Sequence, residues 1–435
     1  MTNEQFNLLH DFPEVAYKND YTIVTYLVIT PTKHIEAFAM ALADEQTTGT
    51  WTAVSGETLE IKKRFGARVV GIFKIPGNTE QELASPENTY VIQIAFPPDN
   101  FGADIPMMLS TLLGNISSAG KLKLLDIAFP ESYVQGFSGP KFGIQGVRDI
   151  LGVHDRPLLN AMIKPNLGWT PDEGRDLFYA AAKGGCDIIK DDELMPADRF
   201  HCPMVERVKK FKEAAERVYE ETGEKTLHAV NITDDVAKIK DNAYRALDAG
   251  ANCLMLNFYT AGLSAARMIA SDPNIQVPLL AHIDFAGTMI SSPYYGVNAS
   301  LLVGKLARLA GGDFAIMGTP YGKFPVPLLD YLRTARFMTQ PWFNIKPMMM
   351  ACSGGTTQVI VPRLIKELGI DIIVAAGGAV HGHREGSEAG ARSMRQAIDA
   401  SVKKIPLEEY AKSHHELAVA LEMWGGDKKN FDLMK

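Results

Sequence analysis

The chain has 435 residues, 46% of them hydrophobic and 22% charged, and a formal net charge of −7. That length suffices for two domains, whereas no stretch reaches the roughly 18–20 apolar residues that span a bilayer, and no basic stripe interleaved with aromatics speaks for nucleic acid. The four cysteines, Cys186, Cys202, Cys253 and Cys352, form no CxxC pair, which predicts reduced residues in a cytoplasmic protein rather than disulfides, and the polar stretch Met1–Val15 lacks a signal-peptide pattern.

In chain order, Tyr21–Thr30 has a strand pattern and Lys33–Glu45 a helical one, with Ile35, Phe38, Ala39 and Leu42 at helical spacing. Arg64–Ile75 and Tyr90–Phe96 read as strands, Ile105–Leu113 as a helix and Lys121–Phe129 as a further strand. This β-α-β-β-α-β order is that of a ferredoxin-like α+β domain. Phe137-Ser138-Gly139-Pro140 breaks the pattern, so the expected division is 1–145 for that domain and 146–435 for a second, larger one.

Eight short apolar runs come next: Leu158–Ile163, Cys186–Ile189, Thr226–Asn231, Asn252–Asn257, Val277–His282, Phe314–Gly318, Met348–Cys352 and Asp371–Ala376. Helical segments separate them, among them Met204–Glu221, Ala237–Asp248, Leu301–Leu309 and Val359–Leu368. Eight β-α units of this size predict a (β/α)8 TIM barrel with a C-terminal helical tail from Leu407; an open doubly wound sheet is the alternative.

A barrel keeps its chemistry at the C-terminal ends of its strands. Those ends carry Lys164, then Lys190 with Asp192 and Glu193, then Asn231, Asn257 and His282. Gly318-Thr319 with Lys323 beyond, Ser353-Gly354-Gly355 and Gly377-Gly378 complete the set. In Lys190-Asp191-Asp192-Glu193 the strand alternation puts Lys190 and Asp192 on one side. Massed carboxylates suit a hard cation such as Mg²⁺, although a solvated charged loop has the same composition. The glycine pairs of the last two runs can bring backbone N–H groups close to a phosphate, or can simply serve turns of positive φ. Lys323 could close over a phosphate as a point charge. His381-Gly382-His383 could be a metal pair or merely polar, His414 and His415 read as solvated, Met348–Met350 as a buried strand and His228 as an interior histidine.

These residues, taken together, resemble the large subunit of ribulose bisphosphate carboxylase (RuBisCO), and more closely the RuBisCO-like, form IV proteins that do not fix carbon dioxide. The marks are Thr48-Gly49-Thr50-Trp51, Gly139-Pro140-Lys141-Phe142-Gly143, Ile163-Lys164-Pro165, the stretch Gly184–Glu193, Gly318-Thr319 with Lys323, Ser353-Gly354-Gly355 and Gly377-Gly378. The resemblance implies a homodimer whose sites are shared between subunits, with Glu45, Thr50, Trp51 and Asn115 reaching the neighbour's site. It implies that Lys190 is carbamylated to N6-carboxylysine and binds Mg²⁺ with Asp192 and Glu193. It also implies that Lys164 handles the proton beside the substrate carbonyl, with His282 and Lys323 as further catalytic residues.

The departures from the carboxylase pattern bear on the substrate. Asn166 stands where a carboxylase has a second lysine, Ile283 where it has an arginine, and Ala286 and Ile316 where it has histidines. Two isoleucines in place of a guanidinium and an imidazole cannot hold a second phosphate, because an unpaired buried anion costs several kcal/mol. The substrate expected is therefore a small molecule with one phosphate. Thr226–Asn231, Ser291–Gly296 and Val380–His383 resemble the methionine-salvage branch, which tautomerises 2,3-diketo-5-methylthiopentyl-1-phosphate. Asn115 replaces the lysine base of that branch, and Lys323 is kept where that branch lacks it. The alternatives are an isomerase of 5-methylthioribulose-1-phosphate and a decarboxylase of a 3-oxo sugar acid phosphate such as 3-oxo-isoapionate-4-phosphate. A Schiff-base aldolase and a non-catalytic binding protein complete the set.

Overall fold

The computed structural model describes residues 10–50, 52–198 and 201–425. They form two compact units: residues up to Phe137 with Phe285–Leu302 and Phe343–Ile345, and Ser138–Asp284 with Val303–Trp342 and Lys346 onward.

The first unit is built on β1 (Thr22–Thr30), β2 (Arg68–Ile75), β3 (Asn88–Phe96) and β4 (Lys121–Ala128). Its antiparallel order, β4-β1-β3-β2, is the ferredoxin-like arrangement. Register opposes Val24 to Ile94 and Tyr26 to Ile92, and all four side chains are fully buried. The Tyr26 hydroxyl donates to the Leu112 carbonyl at 2.6 Å, tying the sheet to the helix Ile105–Leu113. One expectation fails here. Arg64 and Phe65 do not begin a strand but end the helix Leu59–Phe65, whose first turn is capped by the Thr58 hydroxyl. The apolar run had hidden a cap signal at Thr58.

In the second unit the strands are β5 (Leu158–Met162), β6 (Ile188–Lys190), β7 (Leu227–Asn231), β8 (Cys253–Asn257) and β9 (Leu279–His282). The two-residue β10 (Gly296–Val297) comes after them in the chain and pairs with β4 of the first unit's sheet. Then come β11 (Phe314–Gly318), β12 (Met349–Ser353) and β13 (Ile372–Ala376). Among the described residues the eight strands β5 to β9 and β11 to β13 close into a parallel barrel. The fold is thus α/β, a ferredoxin-like domain and a TIM barrel.

Alternation sorts the barrel residues into two cores. Leu158, Ile188, Leu227, Ala229, Met255, Leu280, Phe314, Ile316, Met349, Ala351 and Ala375 pack together. The alternate set, Leu159, Ala161, Ile189, Val374 and Ala376, packs with helix residues such as Phe178, Phe211 and Met394. Leu407 and Leu417 of the tail belong to that second core. The helix expected over Leu301–Leu309 winds as a π-helix from Ser300 to Leu306 before Ala307–Leu309. Cys186, Cys202, Cys253 and Cys352 are all free and buried. No helix among the described residues is long and apolar enough to cross a membrane.

Candidate active site at the barrel mouth

Lys190 ends β6, and its side chain is 1% exposed. A buried ammonium needs an anion, and Nζ lies 2.7 Å from Glu193 Oε2 and donates to the Asp191 carbonyl at 3.0 Å. Lys164, two residues beyond β5, makes the second pair: Nζ donates to Asp192 Oδ2 at 2.6 Å and to Asn166 Oδ1 at 2.9 Å. Two lysines therefore face two carboxylates at adjacent strand ends. His282, the last residue of β9, places Nε2 3.3 Å from Glu193 Oε2 and Nδ1 3.4 Å from Asp284 Oδ1. Burial raises the Glu193 pKa, but the His282 hydrogen bond and the Lys190 charge outweigh it and hold the carboxyl well below the usual range. Glu193 is thus an anion at any physiological pH.

The first acid of the run, Asp191, does different work. It is fully buried and faces the barrel wall, bound by Arg207 Nη2 at 2.9 Å, His228 Nε2 at 2.9 Å and the Asn231 backbone N–H at 3.0 Å. Burial opposes its ionisation, yet Arg207 and His228 keep its pKa far below normal. The same alternation that put Lys190 and Asp192 together sends Asp191 the other way.

Two residues with no role assigned from sequence hold the Glu193 loop. Asn231 Nδ2 donates to the Glu193 and Met195 carbonyls at 3.1 and 2.9 Å, and Asn257 Nδ2 donates to the Glu193 carbonyl at 3.2 Å. A terminal asparagine on consecutive strands, β7 and β8, was the available signal. Asp284, two residues past His282, was likewise unassigned.

The glycines behave differently from one another. Gly354 and Gly355 have φ of +91° and +102°, values that disfavour any side chain. The Lys323 N–H donates to the Gly354 carbonyl, so the loop after β11 docks on the glycine pair after β12. Lys323 is exposed, with Nζ over the Phe324 ring at 5.2 Å from its centroid. At Gly377 a Cβ would lie 3.1 Å from Lys164 Cε, so this glycine makes room for the lysine, whereas a Cβ on Gly378 would meet nothing within 4 Å. Ser353 ends β12, nearly buried.

Ile316 lies in the barrel core, with Ile283 packed against it. His381 and His383 do not form a pair: His381 Nδ1 sits 2.9 Å from Ser387 Oγ, and His383 Nε2 3.1 Å from the Glu416 carbonyl. Burial and the Lys164 charge push the His381 pKa down to about 4, leaving that ring neutral. His414 stacks on Tyr410 and His415 pairs with Glu385. Glu45, Thr50 and Asn115 belong to the first unit and are exposed, and Trp51 lies outside the described residues.

The model of the ribulose bisphosphate carboxylase large chain catalytic domain matches residues 143–424, and that of its N-terminal domain matches residues 11–133. The chain belongs to the RuBisCO large-chain family. Within it, the chain is 47% identical over 420 residues to a ribulose bisphosphate carboxylase-like protein of Archaeoglobus fulgidus, covering 94% of this chain and 95% of that one. It is 38% identical over 403 residues to a 2,3-diketo-5-methylthiopentyl-1-phosphate enolase of Bacillus licheniformis, covering 93% and 98%. The crystal structure of the RuBisCO-like protein MtnW from Alicyclobacillus acidocaldarius superposes with a TM-score of 0.86 at 33% identity, over 93% of this chain and all of that one.

For this RuBisCO family member the donor set can be tested against a magnesium ion. As they stand, Lys190–Glu193 and Lys164–Asp192 are neutral pairs. A carbamate on Lys190 would replace its positive charge by a negative one, giving three anionic oxygen donors, the set a hard dication prefers. The residues fit.

Proposed function

We propose that the protein is an enzyme that enolises a phosphorylated keto compound, using Mg²⁺ held by carbamylated Lys190, Asp192 and Glu193. The observation that carries the reading is the two lysine–carboxylate pairs at adjacent strand ends, with Lys164 seated against Gly377. A bound Mg²⁺ would supply Lewis-acid polarisation of the substrate's carbonyl, which acidifies the neighbouring C–H. Lys164 Nζ takes that proton only as the neutral amine, after releasing its own proton to solvent, and Asp192 and Asn166 orient it. His282, on Glu193, is the second proton-handling group. The N–H groups of Gly354, Gly355, Gly377 and Gly378, with Ser353, cradle one phosphate, and Lys323 closes over it.

Ile283 and Ile316 supply an apolar wall where a carboxylase binds a second phosphate. They support a substrate with an uncharged distal group. Tautomerisation of 2,3-diketo-5-methylthiopentyl-1-phosphate is the reading preferred, and the relative from Bacillus licheniformis supports it. Exposed Lys323 favours, as second reading, a substrate carrying a carboxylate, and so a decarboxylase of a 3-oxo sugar acid phosphate; isomerisation of 5-methylthioribulose-1-phosphate uses the same enolisation. The working form is a cytoplasmic homodimer in which Glu45, Thr50, Trp51 and Asn115 complete the neighbour's site.

Deuterium wash-in from heavy water, across a panel of phosphorylated ketoses and 3-oxo acids, reads enolisation whatever the product. Wash-in is expected with Mg²⁺ and bicarbonate and is lost in Lys190→Ala; full activity of that variant refutes the carbamate. Ribulose-1,5-bisphosphate is expected to be neither enolised nor carboxylated, and measurable carboxylation refutes the reading of Ile283 and Ile316.

A further inference from the structure

The loop after β11 is packed onto the β/α unit that follows it. The Lys323 N–H donates to the Gly354 carbonyl. A Cβ on Gly322 would stand 2.0 Å from that same oxygen, so only glycine permits the approach. Tyr321, one residue earlier, ties the loop down a second time. Its hydroxyl donates to Glu367 Oε1 at 2.6 Å, and Arg363 Nε donates to the same oxygen at 3.0 Å. Both partners lie on the helix Val361–Leu368, which follows β12 and its glycines.

We propose that Tyr321 is a positioning residue, a latch whose hydroxyl, held by Glu367 beside Arg363, keeps the Lys323 loop docked on Gly354-Gly355 before substrate binds. The docking stands on the loop's own contacts. Its consequence for ligand binding rests on the phosphate cradle proposed above.

The surroundings of Tyr321 are built to hold it. Its ring is half-buried. Arg363 Cζ stands over it, 3.9 Å from the centroid. The fully buried Tyr331, on the helix Leu328–Thr339 that follows the loop, meets it edge-on at 6.4 Å. The Glu367 side chain is only 19% exposed, so the hydroxyl–carboxylate bond is shielded from water, and a bond to an ionised acceptor is about twice as strong as a neutral one. The loop also closes on itself, because the Val326 N–H donates to the Thr319 carbonyl at 3.4 Å. Lys323 meanwhile stays exposed, so its ammonium is open to an anion while the backbone beneath it is fixed. A lid placed in this way has its ordering cost met on folding rather than on binding.

Hydrogen exchange of the full chain, read by mass spectrometry on the segment 319–326 with no ligand added, tests the docking. In wild type that segment is expected to exchange at least about tenfold more slowly than an unstructured peptide. Exchange at the unstructured rate overturns the latch without any variant having to fold. Tyr321→Phe keeps the ring under Arg363 and against Tyr331 and removes only the hydroxyl. It is expected to speed exchange of this segment by about tenfold or more, the worth of one hydrogen bond to a charged group, with the barrel strands unaltered. Exchange unchanged in Tyr321→Phe overturns the latch. Inorganic phosphate separates this inference from the reading it rests on. A ligand that prefers the docked loop must favour docking in return, so saturating phosphate is expected to slow the loop of Tyr321→Phe back toward wild type. A loop that is faster in the variant and indifferent to phosphate supports the latch and removes Lys323 from the phosphate cradle.

Discussion

Gly377 is the residue at which the proposed chemistry and the backbone meet. Its φ of −95° is open to any amino acid, so glycine is there for space. An added methyl would stand 3.1 Å from Lys164 Cε and 3.2 Å from the Met162 carbonyl. Gly377→Ala should therefore fold normally but displace Lys164 from Asp192. Small displacements of a catalytic group cost up to about 100-fold in rate. A fall of about 10- to 100-fold in deuterium wash-in is expected, with little change in thermal unfolding; unaltered wash-in would separate Lys164 from proton transfer. Sequence alone read Gly377 as half of a phosphate-binding pair, because a glycine carries no sign of which neighbour requires it. Similarly, four adjacent polar residues gave no charge-based distinction between Asp191 and Asp192. Only alternation separated them, and Arg207, seventeen residues past Lys190 in sequence, had no pattern linking it to Asp191.

At the scale of elements, the barrel is held at its strand starts and loops by buried carboxylates away from the mouth. Asp313 accepts the backbone N–H groups of Phe142, Gly143 and Leu279 at 2.7 to 2.8 Å, joining segments 170 residues apart. Asp187 pairs with Arg156 through two bonds of 2.7 Å. Asp272 binds Lys240 Nζ at 2.8 Å and the Tyr244 hydroxyl at 2.8 Å, fastening the helix Val236–Asp248 to the turn after Leu263–Ala270. The Lys240 hydrogen bond, then the Asn274 N–H, hold the Asp272 pKa at about 2. A pKa lowered on folding stabilises above the unfolded value, about 3.9, and that stability is lost as pH falls toward the folded one. Asp272→Asn should flatten the acid limb of the stability curve between about pH 4 and pH 2 relative to wild type. Denaturant titrations at several pH values check this, and parallel limbs would remove Asp272 from the account.

For the whole molecule, the proposed sharing of sites between subunits has an arithmetic consequence. Asn115→Ala and Lys190→Ala homodimers should each be inactive. In a mixed dimer one site carries both defects and the other carries neither. Statistical mixing makes about half the dimers mixed, so about a quarter of wild-type wash-in should return on co-refolding. No recovery, with mixed dimers demonstrated by mass, would confine each site to one chain.

The order of the elements, the two fold classes and the polar strand ends were legible in the chain, because burial on both faces of a barrel strand forces short apolar runs and puts the first polar residues at the mouth. The runs were located to within about two residues of the observed strands, and Phe314–Gly318 coincides with β11. What only the tertiary structure decided is which polar end meets which. Lys190 with Glu193, Lys164 with Asp192, and His282 between Glu193 and Asp284 are side-chain pairings across strand ends, and the strands are brought together by closure of the barrel rather than by any spacing along the chain.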